Sequence, residues 1–153
     1  MPEIIISDTS CLILLSKINE LEILKKLYNT IYITEDVLKE YGLKIPPWFN
    51  VQSPIDKTRQ QILEIQLGKG EASSLALAIE LKDSVLILDD YKARKIAKSL
   101  DLKFSGTLGI LIKAKKNGHI KSLKSILEKL KSNNYFISEE LESYALKESE
   151  ELS

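Results

Sequence analysis

Carboxylates recur in this sequence where apolar runs stop or start. Asp8 follows Ile4-Ile5-Ile6-Ser7, the doublet Asp89-Asp90 follows Ser84-Val85-Leu86-Ile87-Leu88, Glu71 opens an apolar-periodic stretch and Glu40 closes another. Taken singly, most have an ordinary explanation. Asp8 and one of the Asp89-Asp90 pair can cap the helices they precede, and an acid such as Glu71 in a first turn gains about 0.3–1 kcal/mol from the helix dipole. Glu40 falls in a last turn, where a carboxylate opposes the dipole. Together the acids imply chemistry. Carboxylates about 5 Å apart repel by roughly 3 kcal/mol per pair at an effective dielectric near 20, so a cluster calls for a cation or a proton. A hard divalent ion such as Mg²⁺ answers that need, taking one or two carboxylates with several waters and leaving room for a phosphate oxygen. Such an ion can activate water for attack on phosphorus.

The acids meet only if the elements carrying them share an edge. Three β-branched residues at Ile4-Ile5-Ile6, too few for a helix, predict a strand buried on both faces, as in a parallel sheet. Ile31-Tyr32-Ile33, Ser84–Leu88 and Leu102–Ser105 read as further strands, and Tyr135-Phe136-Ile137 as an edge strand. Helices are expected at 10–17, 20–28, 35–41, 56–67 and 71–81, with Gly68-Lys69-Gly70 as a break. Ala93, Ile96, Ala97 and Leu100 mark another, Leu108, Leu111 and Ile112 one more, and Leu123, Ile126, Leu127 and Leu130 the next. Ser138 caps a last, acidic helix over 138–153. The segment 43–54, with three prolines and Trp48-Phe49, is expected to be an irregular loop in which Trp48 packs against the body. Strands alternating with helices predict one α/β domain over 1–153, an α/β/α sandwich around a mainly parallel sheet of four or five short strands. In such sheets ligands bind outside the carboxyl ends of the strands, which is where Asp8 and Asp89-Asp90 would stand.

Composition places bounds on function. The chain has 153 residues, 44% hydrophobic and 29% charged, with no apolar run long enough to span a bilayer, so a cytoplasmic protein without a membrane partner is expected. Net charge is zero but unevenly spread. From Lys92 to Lys131 twelve Lys and Arg face two acids, a net of +10, whereas 138–153 holds six Glu against Lys147, a net of −5. Lys92, Arg94, Lys95, Lys98, Lys113 and Lys116 lie off the apolar stripes and are candidates for contacting nucleic-acid phosphates, solvated helix faces being the alternative. One His and one Cys exclude a zinc site or a Cys/His dyad within the chain, and Cys11 reads as a core thiol. Gly68-Lys69-Gly70 follows a helix rather than a strand, which argues against a nucleotide-binding loop.

In order and spacing the chain resembles the PIN-domain nucleases, and within them a small PIN-like bacterial and archaeal group. The matching pieces are Ile5-Ile6-Ser7-Asp8-Thr9-Ser10, Val37-Leu38-Lys39-Glu40, Gly68 through Ala78, Leu86 through Arg94, and Ser105-Gly106-Thr107-Leu108-Gly109. The resemblance in order and spacing runs from about Ile4 to Ile137. The resemblance implies that Asp8, Glu40, Glu71 and Asp89 or Asp90 are successive metal ligands, with Ser10 orienting a ligand or bound water. It further implies cleavage of RNA with Mg²⁺ or Mn²⁺, frequently as the toxin of a toxin–antitoxin pair with a small antitoxin partner, and frequently as a homodimer. Glu71 departs from the wider family, many of whose members carry Asp there. The sequence thus supports two functions: a metal-dependent endoribonuclease using Asp8, Glu40, Glu71, Asp89 and Asp90, or a non-catalytic module that binds nucleic acid or protein through the same fold.

Overall fold

The computed structural model describes residues 4–151. Five strands form one sheet: β1 (Ile4–Ser7), β2 (Thr30–Ile33), β3 (Phe49–Val51), β4 (Ser84–Ile87) and β5 (Lys103–Ser105). Their order is β3-β2-β1-β4-β5 and every neighbouring pair is parallel. β1 lies at the centre, with Ile5 opposite Ile31 on one side and Val85 on the other. Its side chains are buried on both faces, which is why the segment reads as continuously apolar rather than alternating. The chain leaves β1 towards β2 and β3, then returns to β4 and β5 on the opposite flank. That reversal opens a crevice at the carboxyl ends of β1 and β4.

Helices cover both faces. On one, α1 (Thr9–Lys17), α2 (Glu22–Leu27), α3 (Glu35–Tyr41), α7 (Thr107–Lys116), α8 (Leu123–Lys131) and α9 (Glu139–Glu148) pack around Ile5, Ile31, Ile33 and Ile87. On the other, α5 (Lys69–Glu80) and α6 (Tyr91–Ser99) close over Ile6, Leu86 and Leu88, with α4 (Lys57–Leu63) lying on α5. The fold is therefore the expected α/β/α sandwich. No helix among the described residues is long and apolar enough to cross a membrane.

The structure corrects five expectations. Tyr135-Phe136-Ile137 is not a strand; its side chains extend the apolar pattern, but its backbone joins no ladder. The fifth strand is instead Phe49–Val51, inside the segment expected to be an irregular loop. Pro46 and Pro47 stop just short of it, and as an edge strand it needs hydrogen bonds from β2 alone. The break expected at Gly68-Lys69-Gly70 lies earlier, over 64–68: Gly68 is the N-cap of α5, whose first turn holds Lys69 and Gly70. The helix expected at 56–67 ends at Leu63, and the acidic helix ends at Glu148, its expected last residues Leu152 and Ser153 lying outside the described residues. Trp48 packs as expected, its ring stacked on Phe49 at 4.4 Å between centroids.

The acidic end of the chain is folded back onto the basic part. Lys116 lies 3.6 Å from Glu148, Lys115 lies 3.2 Å from Glu151, and Lys131 pairs with Glu142. Glu151 also accepts hydrogen bonds from the Leu123 and Lys124 N–H groups, so its carboxylate caps α8 alongside Ser122. Burial alone would raise the Glu151 carboxyl, but these N–H groups and Lys115 outweigh it and hold it below its ordinary value. Three glutamates of the acidic end are thus paired with lysines of the basic part within the chain.

Candidate active site

Asp8 stands at the end of β1 and is 3% exposed. Its Oδ1 accepts the Cys11 N–H at 2.9 Å, the N-cap bond of α1. Its Oδ2 accepts the Asp89 N–H at 3.1 Å, a bond across the crevice to the chain leaving β4. Capping therefore accounts for only one of the two oxygens. Burial, then the charge of Asp89, and after it that of Glu71, raise the Asp8 carboxyl from 3.8 to about 7, against the two N–H groups that favour its ionised form.

Glu40, in the last turn of α3, finds its compensation elsewhere. Its Oε1 accepts from the Thr9 hydroxyl at 2.7 Å and its Oε2 from the Gly70 N–H at 3.1 Å. The carboxylate thereby leaves the unfavourable end of its own helix for the favourable starts of α1 and α5. Gly70 is required for this approach, since a Cβ there would stand 2.2 Å from Glu40 Oε1. Glu71, at the third position of α5, takes a hydrogen bond from the Gly68 N–H. Its carboxyl is raised by burial and by the charges of Asp90 and Glu40.

The doublet divides its work. Asp90 is exposed and caps α6, its Oδ2 accepting the Ala93 N–H at 2.8 Å. Asp89 points to the other side, where Oδ1 accepts the Thr107 N–H at 2.8 Å and Oδ2 the Thr107 hydroxyl at 2.5 Å. Arg94 approaches Asp89 Oδ1 at 3.8 Å, with its Nε donating to the Leu88 carbonyl at 2.6 Å and its guanidinium 5.8 Å from the centre of the Phe104 ring. Gly106 makes room for it, because a Cβ there would lie 1.9 Å from the guanidinium.

Asp8, Glu40, Glu71, Asp89 and Asp90 thus gather at one sheet edge, and the charges of Asp89 and Glu71 are felt at Asp8 as those of Asp90 and Glu40 are felt at Glu71. They do not close into the shared ligand pocket the sequence suggests. Among the described residues, no three His, Cys, Asp or Glu side chains stand in an arrangement that could hold a metal ion directly. The reason is local: the carboxylates of Asp8, Glu40, Asp89 and Asp90 are each turned towards protein N–H or hydroxyl donors rather than towards a common point. The donor chemistry still suits a hard divalent cation, because it is all carboxylate oxygen and because the carboxyls of Asp8 and Glu71, raised first by burial, are raised further by neighbouring carboxylates.

Three contributors had no role assigned from sequence: Thr9, Gly70 and Thr107. Their signal was position, since each lies in the first turn of a helix, but pairing a particular donor with a particular carboxylate needs coordinates. Ser10, the expected orienting residue, is exposed on the first turn of α1 and lines a cleft with Asp89. The basic candidates separate. Lys92, Lys95 and Lys98 are exposed on α6, and Arg94 on the same helix is committed to Asp89 and Leu88. Lys113 and Lys116 belong to α7 on the opposite face, where Lys113 lies 4.7 Å from the centre of the Tyr28 ring and Lys116 pairs with Glu148.

No protein of curated function matches the chain. A family model described as DUF3368, PIN domain, matches residues 4–151. That match spans all the strands, the acids after β1 and β4 and both carboxylates that lean on α5, and it agrees with a parallel sheet whose acidic edge sits at a topological reversal. The chain belongs to the PIN-domain family and has its nuclease-type fold.

Proposed function

We propose that this protein is a metal-dependent endoribonuclease, cutting RNA at the crevice between β1 and β4. One observation carries the reading: Asp8 is buried at a sheet edge that also bears Asp89 and Glu71, where burial first and then the charges of Asp89 and Glu71 raise its carboxyl to about 7. Asp8, Glu40, Glu71 and one or both of Asp89 and Asp90 would hold Mg²⁺ or Mn²⁺, some of them through water. When bound, the ion supplies an activated water for attack on phosphorus and stabilisation of the leaving oxygen. The protein's own share is positioning. Thr9 and Gly70 fix Glu40, Thr107 fixes Asp89, and the Cys11 N–H fixes Asp8. Exposed Lys92, Lys95 and Lys98 offer phosphate contacts beside the acids.

The test is cleavage of single-stranded and structured RNA in Mn²⁺ by the wild type and by Asp8→Asn, which keeps a capping side chain on α1. The wild type is expected to cut and the variant to be slower by about two orders of magnitude or more. Equal rates, or no cutting by either, defeat the proposal. Within the same proposal the physiological setting is a toxin–antitoxin pair, which a small reading frame beside the gene would support, and the working form is a homodimer.

A second reading is favoured by one specific observation, that no three carboxylates among the described residues form a direct metal-binding group. On that reading the protein is a PIN-like module that binds nucleic acid or a protein partner without cutting. RNA binding by a wild type that leaves RNA intact in Mn²⁺ would select it.

A further inference from the structure

Beside the acids lies a cleft of about 640 Å³. Asp89 and Arg94 belong to its lining, and half-buried Leu14, Leu108 and Ile112 make part of it apolar. Tyr135, Phe136 and Tyr144 add aromatic rings to the lining. Phe136 is 92% exposed and Tyr144 55%. A phenyl ring left in water has no hydrogen bond to offer a partner; it offers only a flat apolar face. Tyr135 ties these rings to the acids, for its hydroxyl is raised by burial and by the charge of Asp89, with Arg94 opposing.

We propose that this cleft is a base-stacking subsite, which receives the nucleobase of an unpaired nucleotide adjacent to the phosphodiester held at the acids, with Phe136 and Tyr144 as the stacking faces. The inference rests on the nuclease reading for where the phosphate sits, and it adds a reason for single-strand selectivity. Two observations favour RNA over a peptide as occupant. The cleft is continuous with Asp89 and Arg94, so a chain whose phosphate lies at the acids must send its neighbouring group into it or past it. Phe136 and Tyr144 put exposed ring surface into the lining of an open cleft, which suits a planar partner of any sequence. A base inside a duplex is already stacked on its neighbours and cannot enter.

The experiment measures binding, with Ca²⁺ in place of Mg²⁺ or Mn²⁺ so that the phosphate can be held without cutting, of a short fluorescent oligoribonucleotide to the wild type, Phe136→Ala, Tyr144→Ala and Phe136→Tyr. The same strand is presented single, in a duplex, and with one nucleotide lacking its base. Each alanine variant is expected to lose about tenfold in affinity for the single strand and nothing for the duplex, Phe136→Tyr to bind as the wild type does, and the abasic strand to reduce the penalty of the alanine changes. Unchanged single-strand affinity in both alanine variants overturns the proposal, as does an equal loss on duplex. Loss of self-association with RNA affinity intact also overturns it and assigns the cleft to a second copy of the chain. Cleavage in Mn²⁺ separates the two levels. A wild type that does not cut but shows ring-dependent single-strand binding sinks the nuclease reading and keeps the subsite, whereas an active wild type with indifferent variants does the reverse.

Discussion

Glu40 shows how a residue in an unfavourable local setting becomes explicable once its partners are known. Its helix gives it nothing, yet Thr9 and Gly70 hold both of its oxygens. Gly70 then becomes a sensitive probe, because a methyl group there collides with the far end of a flexible side chain rather than with backbone. Alanine inside a helix is favoured over glycine by up to about 1 kcal/mol. Gly70→Ala should therefore leave the melting temperature unchanged or slightly higher, while cleavage falls to the level of Glu40→Gln. A variant that keeps full activity would show that Glu40 has no part in the chemistry. At this scale the sequence was informative about which residue types matter and silent about their partners. Asp8, Glu71 and the doublet stood out because they punctuate apolar runs. Which member of the doublet does what could not be told, since both follow the same strand, and only the turn geometry sends Asp89 to Thr107 and Asp90 to the Ala93 N–H.

At the scale of elements, α6 and α7 replace the single basic surface that the run of lysines from 92 to 131 suggests. A charge count along the chain takes no account of the sheet between the two helices, nor of α9, whose glutamates lie on the lysines of α7 and α8. RNA binding should therefore depend on α6. Each phosphate contact contributes about −0.7 to the log–log slope of affinity against salt for single strands. Reversing Lys95 and Lys98 to Glu should flatten that slope by about one to two contacts' worth, whereas Lys116→Glu should leave it unchanged. The opposite ranking, read from binding titrations across a salt series, would move the RNA path to the other side of the sheet. Strand assignment failed for a related reason. Tyr135-Phe136-Ile137 and Phe49-Asn50-Val51 both carry large apolar residues, but being a strand depends on a neighbour, and the exposed edge of β2 is reached by the second and not the first.

For the molecule as a whole, the buried acid sets the sign of a pH effect. Asp8 is raised from 3.8 to about 7, so in the metal-free protein its contribution to stability is fully present below about pH 4 and is lost as pH rises towards 7. The loss is on the order of 4 kcal/mol for a shift of this size. Asp8→Asn should remove that decline, melting higher than the wild type at pH 7 in a chelator and no higher at pH 4. Millimolar Mg²⁺ or Mn²⁺ should raise the wild-type midpoint at pH 7 and leave the variant nearly unmoved. A wild-type midpoint independent of pH between 4 and 7 would mean that the carboxyl is not strained by its surroundings. The sandwich itself was legible from the alternation of apolar runs and amphipathic stretches, because those patterns record burial directly. The strand order was not, because nothing local in β1 announces that β2 and β4 will lie on opposite sides of it.

That central placement of β1 means that the acids come from two separable lengths of chain. Asp8 and Glu40 precede the proline-bearing segment 42–48, while Glu71, Asp89 and Asp90 follow it, and the bond from the Asp89 N–H to Asp8 joins the two lengths. A backbone nick in that segment would leave neither piece with the complete set, and β1 would still have to dock on β4, and β2 on β3, for the site to exist. If the proposed RNA cutting holds, cutting by the co-expressed pieces would report their reassociation, turning the protein into a complementation sensor whose signal depends on the sheet being re-formed across the cut.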